Sequence, residues 1–405
     1  MSTPHYEYVV LDLETTVNSS RDFNAAPFDP VNAIVVAGLL TPQEEVLIYD
    51  FQSTDDTNKK NFFDAIHNTD LIIGQNVGFD LHYIRKYMPF INSWYEWINT
   101  IAIWDTQIAE YLLSGHKHKF ESLDSLSEKY GGNLKNDAIK TYWDSGIKTE
   151  DIPMSELCEY LKWDLINTYT VFKGQYKKVL DVNDKQFTKV LAVQMEHRLV
   201  TLEMEYNGMF FNQALCSNYL EELQNEIDEL TKSISNDMDK HLGYYVVSNP
   251  LSNKQVATIL YGGYLQYDDT EPVMNEYGEI ATYKTGLRAG QFKEKKVKRK
   301  EWIDGVLSAR QQRELEDKNT SNSTLKAICE MRLYREHNAY VTQFCESILA
   351  LRKLNKDAST YFEGYSKECW EHDSCLHPTY NHASTSTGRI SCTKPNVMNI
   401  TRKET

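Results

Sequence analysis

Three short acidic motifs in the N-terminal half carry side chains that could bind a divalent metal. Asp12 and Glu14 stand two residues apart in an apolar run, so a strand would point both carboxylates to the same face. Asp80 follows a second apolar run at the start of a helical pattern, and Asp164 lies in a long amphipathic pattern. The Asp-x-Glu pair alone is weak evidence, because two solvated carboxylates at a strand end give the same pattern.

Four carboxylates that converge from separate elements are what two-metal hydrolysis of a phosphodiester requires. The reaction needs oxygen ligands that hold two ions about 3.5 to 4 Å apart, beside the attacking and leaving oxygens of the phosphate. Carboxylates favour Mg²⁺ or Mn²⁺, because these ions prefer hard oxygen donors. The sequence therefore predicts a site for two Mg²⁺ or Mn²⁺ ions formed by Asp12, Glu14, Asp80 and Asp164.

The elements that must position these acids alternate between strand and helix patterns, which predicts an α/β domain. Asp105 or Thr106 is placed to cap one helix, and Pro153 precedes another that carries Tyr160 and Asp164 four residues apart, on one face. The strand patterns cover 6–16, 33–40, 45–51 and 70–76, and the helix patterns cover 61–68, 79–88, 104–113, 122–131 and 154–175.

The second half of the chain has a different character. Long helical patterns at 191–208, 214–242 and 325–354 predict a mostly helical region. Residues 262–323 hold glycine, charge and little periodicity, and we predict an irregular insertion there. From Lys284 to Lys300 the sequence has eight basic residues and one acid, a local charge of +7. This segment fits either a contact with duplex phosphates or a solvated loop.

Composition limits the remaining function classes. The net charge of −15 excludes a protein that coats nucleic acid by charge alone, so any such contact must be local. No signal or membrane-spanning pattern is present, and the seven scattered cysteines lack a CxxC pair, which predicts a reducing cytoplasm, the host cytoplasm if a phage encodes the chain. Cys369, His372, Cys375 and His377 stand too close in sequence for a usual structural zinc site.

In their order and spacing the acidic motifs resemble the exonuclease family named for its Asp-Glu-Asp-Asp residues, in the subclass with a tyrosine in the third motif. The resemblance implies an RNase H-like α/β domain, a mixed sheet flanked by helices, over residues 1–182, with 3′-to-5′ exonuclease activity. It rests on three motifs: Asp12-Leu-Glu14, Asn76-Val-Gly-Phe-Asp80 and Tyr160-Leu-Lys-Trp-Asp164.

The same resemblance implies a role for each motif residue. The first ion would be held by Asp12, Glu14 and Asp164, and the second by Asp12 and Asp80. The remaining motif residues would contact the water and the substrate. Tyr160 would orient the attacking water, and Asn76 and Phe79 would contact the 3′-terminal nucleotides.

Residues 379–401 resemble the TxTGRLSSxxPNLQNIP segment of family A DNA polymerases. In that comparison Arg389 contacts the primer terminus, Asn396 and Asn399 match the two asparagines, and Met398 replaces the usual glutamine. The resemblance implies a helical polymerase thumb over 183–355 and the beginning of a palm over 356–405. The thumb-tip DNA contacts would come from the basic segment: Lys295, Lys296, Lys298 and Arg299.

The resemblance also bears on partners. The two palm carboxylates that polymerisation requires do not follow Arg389 in this sequence, so we expect no polymerisation by this chain alone and a second chain that completes the palm and fingers. Primer-template DNA and a single-stranded 3′ end are the expected substrates. Some phage relatives insert a processivity-factor site in their thumb, which makes such a factor a candidate partner at the insertion.

Taken together, these residues predict a proofreading DNA exonuclease joined to part of a family A polymerase. Two alternatives stay open. An RNA-trimming exonuclease can share all four acids, although it has no use for the segment around Arg389. A non-catalytic scaffold for a second polymerase chain could also retain nuclease residues. The filled motif positions favour the enzyme.

Overall fold

A computed structural model of the chain divides it into two compact units. Unit 1 comprises Met1–Phe211 and Glu368–Thr405, and unit 2 comprises Asn212–Lys367. The structure describes residues 5–21, 24–87, 91–133, 138–243, 248–284, 288–315, 318–330 and 339–400.

These units divide the chain differently from the predicted boundaries after 182 and 355. Residues 183–211 and 368–405 join the N-terminal unit because they contribute to its core. Leu191, Met195 and Leu202 are buried in the same cluster as the sheet, and so is Ala383 from the C-terminal segment. The N-terminal unit is therefore larger than the predicted domain.

A five-stranded mixed sheet forms the centre of unit 1. Its order is β3-β2-β1-β4-β5, in which β1 pairs with β2 and β2 with β3 antiparallel, while β1 pairs with β4 and β4 with β5 in parallel. Helices flank the sheet, which confirms the predicted α/β class. The strands are β1 Val9–Thr15, β2 Ile34–Leu40, β3 Val46–Asp50, β4 Leu71–Gly74 and β5 Ala102–Asp105.

The helices of unit 1 begin and end where the sequence supplies caps. The side chains of Asp105 and Ser122 accept backbone N–H groups at the starts of two helices, and Gly131, with φ of +80°, ends the second. The eight helices that the structure describes here are α1 Thr57–His67, α2 Gly78–Tyr87, α3 Ile91–Ile98, α4 Thr106–Leu113, α5 Leu123–Tyr130, α6 Ala138–Asp144, α7 Met154–Val182 and α8 Lys185–Asn207.

Helix α7 packs very closely on the sheet at Gly38, the register partner of Asp12 on the neighbouring strand. A Cβ at Gly38 would lie 2.7 Å from Leu165 Cδ1 and 3.0 Å from Leu161 Cγ. Directly paired residues of an antiparallel ladder point to the same face. The missing side chain therefore lets α7 approach the face from which Asp12 projects.

The C-terminal part of unit 1 forms two small antiparallel pairs. Strands β6 Met209–Phe210 and β9 Cys375–Leu376 form one pair, and β10 Thr379–Asn381 and β11 Ser391–Thr393 form the other. The segment that resembles the polymerase motif thus folds as a short hairpin within this unit.

Unit 2 is mostly helical, as expected, and has its own apolar core. The predicted helix over 325–354 is described as two helices, α12 and α13; residues 331–338 lie outside the described residues. The helices are α9 Gln213–Leu242, α10 Asn253–Tyr261, α11 Ala309–Arg313, α12 Asn322–Glu330, α13 Ala339–Lys356 and α14 Gly364–Glu368, with a π-helical stretch, Asp357–Glu363, before the last.

The prediction of an irregular insertion over 262–323 was wrong, because its core is a long β-hairpin. Strands β7 Gly263–Pro272 and β8 Glu294–Ile303 pair antiparallel over ten residues each. Most side chains on both faces are polar or exposed, so the alternation of apolar and polar residues that normally reveals a strand is missing. Backbone hydrogen bonds and cross-strand ion pairs hold the two strands of this hairpin together.

No helix of the described residues combines the length and the hydropathy that are needed to cross a lipid bilayer.

The close approach at Gly38 can be tested by adding a side chain there. We expect Gly38→Val to lower the free energy of unfolding by about 1 to 3 kcal/mol, the usual cost of overpacking a core, because Leu161 and Leu165 must move. Urea denaturation followed by circular dichroism measures this. An unchanged midpoint would show that α7 tolerates displacement from β2.

Candidate metal centre

Three of the four predicted acids converge in the structure. Asp12 and Glu14 on β1 and Asp164 on α7 each offer a carboxylate oxygen, and these oxygens lie within 4.8 Å of one another. Among the described residues this is the only group of three or more histidine, cysteine or acidic side chains with such spacing. Strand β1 and helix α7 therefore bring their carboxylates together in one cluster.

Asp80 lies outside that group but beside the same strand. The backbone N–H of Leu13, between the two acids of β1, donates to its carboxylate. Burial, with a smaller contribution from the charge of Asp105, raises the pKa of Asp80 well above its usual range, and its side chain is only 4% exposed. Helix α2 thus brings the fourth acid to the strand that carries Asp12 and Glu14.

The donor set fits hard divalent cations. Three carboxylates within a few ångströms repel one another, and a buried carboxylate such as Asp164 is costly without a nearby positive charge. A divalent cation with oxygen ligands relieves both costs, and Mg²⁺ and Mn²⁺ favour such ligands. These side chains could therefore hold a divalent cation.

Asp105 holds the turn that leads to Asp80, a role the sequence did not reveal. Its buried carboxylate caps α4 and also accepts the backbone N–H groups of Asn76, at 3.3 Å, and Val77, at 3.0 Å. Asn76 has φ of +53°, a conformation that asparagine tolerates better than most residues. The sequence indicated the helix cap, but the second set of bonds depends on the neighbouring parallel strand.

The other motif residues lie close to the acids in sequence. Tyr160 lies one turn before Asp164 on α7, and its ring packs edge-on against Trp143 at 5.9 Å between centroids. Phe79 is half-buried against Tyr83, whereas Asn76 is exposed. Tyr160 and Phe79 are thus each within four residues of a candidate metal ligand.

The hairpin of unit 2 divides the basic segment between two faces. On one face Arg299 bonds Asp269 and Glu271, and Lys295 lies 3.6 Å from the same Glu271, so acids offset these charges.

The opposite face, here called the lysine face, comprises Lys296, Lys298 and Lys300, with Asp268 opposite Lys298 and with Tyr264 and Trp302 at its end. No carboxylate of the described residues forms an ion pair with these three lysines. Lys300 Nζ lies 4.5 Å from the centroid of Tyr264, and Tyr264 and Trp302 are more than half exposed. The lysine face therefore carries three lysines and one acid, a net positive charge.

The predicted primer-contacting residues lie in the C-terminal hairpin of unit 1. Arg389, Asn396 and Asn399 are all exposed. Gly388, with φ of +74°, packs against His116, where a Cβ would lie 3.1 Å from its ring. The Tyr111 hydroxyl donates to Thr385 O at 2.6 Å. These contacts hold residues 385–388 against α4 and the turn that follows it.

The cysteine and histidine cluster at 369–377 does not assemble a metal site in the described residues. His377 Nδ1 bonds the backbone carbonyl oxygen of Glu205, and its Nε2 bonds Asp373 at 2.8 Å. The side chain of His377 is therefore a buried group that links Glu205 to Asp373.

Comparisons with known proteins agree with both resemblances. Residues 5–179 match the family described as 3′-5′ exonuclease, and residues 289–405 match DNA polymerase family A. DNA polymerase I of Borreliella burgdorferi is 24% identical over 349 residues, which cover 85% of this chain and 30% of that protein.

A solved structure is similar in fold over nearly the whole chain. It is the POL domain of Pol1 from M. smegmatis in complex with DNA primer-template and dNTP, with a TM-score of 0.61 and 14% identity. The match covers 98% of this chain and 53% of that one. The chain thus spans about a third to a half of these relatives.

The burial of Asp80 predicts how pH affects the metal-free protein. Because its pKa is raised in the folded state, protonation favours folding; this stabilisation is complete below the unfolded pKa near 3.8 and is lost as pH rises through the folded pKa. Asp80→Asn removes the charged form, so we expect it to raise the thermal midpoint at neutral pH in EDTA. A lower midpoint, or an unchanged one, would contradict this account of Asp80.

Proposed function

We propose that this chain, as part of a family A DNA polymerase with a 3′-5′ exonuclease domain, removes nucleotides from DNA 3′ ends by two-metal hydrolysis in unit 1. This removal would serve proofreading. The observation that carries the proposal is the convergence of Asp12, Glu14 and Asp164 within 4.8 Å, with Asp80 bonded to the strand between the first two. A divalent cation would offset the charge of several carboxylates at one point.

The proposed division of ligands is the one that the resemblance to the exonuclease family implies. Asp12, Glu14 and Asp164 would hold one Mg²⁺ or Mn²⁺ ion, and Asp12 and Asp80 a second. When bound, such ions would polarise the scissile phosphate and stabilise charge on the attacking and leaving oxygens. The carboxylates keep both positions fixed because β1, α2 and α7 belong to one packed core.

The remaining residues act on the water and the nucleotide. Tyr160, one turn from Asp164, would orient the attacking water through its hydroxyl group. Phe79 offers a half-buried ring, and Asn76 an exposed amide, to the 3′-terminal nucleotides. Stacking on an aromatic ring tolerates any base, as an enzyme that removes every kind of misincorporated nucleotide requires.

DNA, rather than RNA, is the proposed substrate because the exonuclease is joined to polymerase sequence. Exposed Arg389, Asn396 and Asn399 would contact the primer terminus. An RNA-trimming enzyme would leave this segment without a purpose, and a non-catalytic scaffold would not need four converging acids.

The lysine face of the hairpin is the proposed phosphate contact of unit 2. Lys296 and Lys298, with Lys300, project in one row from a single strand, and exposed Trp302 and Tyr264 end the row. Lys295 and Arg299, whose charges Asp269 and Glu271 offset, would contribute less to binding. Cations at alternate positions with aromatic rings beside them suit a nucleic-acid backbone.

Removing one acid tests the exonuclease directly. We expect Asp12→Asn to abolish release of nucleotides from single-stranded DNA labelled at its 5′ end, in Mg²⁺ or in Mn²⁺, because Asp12 is shared by both proposed ions. EDTA must stop the wild-type reaction, and RNA of the same sequence should be degraded more slowly.

The matched control is Asp181→Asn, an exposed acid at the far end of the helix that carries Asp164. It should retain wild-type activity. Equal rates for the wild type and the Asp12 variant would refute the proposed function, and faster degradation of RNA would favour the RNA-trimming alternative.

The lysine face predicts a change in salt dependence. Replacing Lys296, Lys298 and Lys300 with alanine should reduce the slope of log affinity against log salt concentration by about 0.9 for each duplex phosphate that the variant no longer neutralises. Fluorescence anisotropy with a primer-template duplex measures the slope. The control, Lys295→Ala with Arg299→Ala, should change it less; an unchanged slope in the triple variant would remove the lysine face from the DNA interface.

A further inference from the structure

A buried ion pair on α8 lies behind the acidic centre. Arg198 Nη1 bonds Glu205 Oε2 at 3.0 Å and Thr201 Oγ1 at 3.1 Å. Arg198, Thr201 and Glu205 are 6%, 1% and 2% exposed, so the pair is screened from water. Separating the two side chains would leave each charge buried and unpaired, which is strongly unfavourable, so the pair stays together.

The guanidinium of Arg198 contacts the segment that ends in Asp80. A Cβ at Gly78 would lie 1.8 Å from Arg198 Nη2 and 2.4 Å from its Nε, so the flat group lies directly against the backbone of this glycine. Arg198 also favours the ionised form of Asp105, lowering a pKa that burial, the larger influence, raises. Asp105 in turn bonds the N–H groups of Asn76 and Val77.

Glu205 ties this arrangement to two further parts of unit 1. Its Oε2 lies 2.7 Å from His82 Nε2, on the same helix as Asp80. Its Oε1 accepts the backbone N–H of Tyr380 at 2.7 Å. Thr201 Oγ1 lies 2.8 Å from His382 Nε2. The pair therefore joins α2 to the hairpin formed by β10 and β11.

We propose that Arg198, held by Glu205, is a positioning residue that fixes the segment from Asn76 to Asp80 at the geometry in which the acidic centre binds divalent ions. The proposal rests on the proposed function for its consequence in catalysis. It explains why the chain keeps a glycine at 78, because a side chain there would displace the guanidinium. Hydrogen-bond partners behind metal ligands typically account for about 10- to 100-fold in metal affinity or activity.

A different arginine–glutamate pair, which joins α2 to α8, provides a control. Arg85 Nη1 lies 2.6 Å from Glu203 Oε1, and Arg85 stacks on Tyr206 at 3.4 Å. It is as buried as Arg198 and joins α2 to α8, yet it lies at the other end of α2 from Asp80. Loss of either pair should affect stability, but only the pair that contacts Gly78 should affect the metal centre.

The test measures Mn²⁺ binding by electron paramagnetic resonance on metal-free protein, alongside exonuclease rates at a series of Mn²⁺ concentrations. We expect Arg198→Met to weaken Mn²⁺ binding about 10- to 100-fold and to raise the half-saturating Mn²⁺ concentration equally. Arg198→Lys should restore little, because an ammonium group cannot form the planar contact. Arg85→Met should bind Mn²⁺ as the wild type does.

Glu205→Gln, which keeps the shape of the side chain, provides a second variant if Arg198→Met fails to fold at the assay temperature. Wild-type Mn²⁺ affinity in either folded variant would overturn the proposal, and so would unfolding of both while Arg85→Met folds, since the pair would then be structural. If the wild type binds Mn²⁺ but degrades no DNA, the proposed function fails while the binding comparison still decides the role of Arg198.

Discussion

Mutual repulsion among carboxylates is the constraint on which unit 1 depends. Asp12, Glu14 and Asp164 present oxygens within 4.8 Å of one another, and burial raises the pKa of Asp80 beside them. Such an arrangement opposes folding unless the surrounding core holds it in place or cations offset the charge. A sheet buried on both faces and a helix of 29 residues provide that rigidity.

Small residues and buried polar groups set the distances between the rigid elements. Gly38 lets α7 approach the face of the sheet that carries Asp12, and Gly78 lets Arg198 lie against the segment before Asp80. The Asp105 carboxylate accepts the backbone N–H groups of Asn76 and Val77 and so holds the turn between β4 and α2. The first contact acts on α7 and the other two act on the segment that leads to Asp80, so the centre is assembled by packing rather than by one local motif.

The sequence predicted β1 to β4 and six helices of unit 1 because their periodicity reflects burial in one core, but it missed β5, α3 and α6. It also predicted which acids to examine, since their spacing along β1 and α7 is local. It could not predict the contacts of Arg198 or Asp105, because these join residues far apart in sequence. The hairpin of unit 2 was missed because most residues of its strands are polar, so the sequence shows little apolar alternation there.

Anomalous X-ray scattering from crystals soaked in Mn²⁺ would test the central claim most directly. The account predicts two anomalous peaks next to Asp12, one also coordinated by Glu14 and Asp164 and the other by Asp80. No peak within coordination distance of Asp12, or peaks bound only by other side chains, would contradict it.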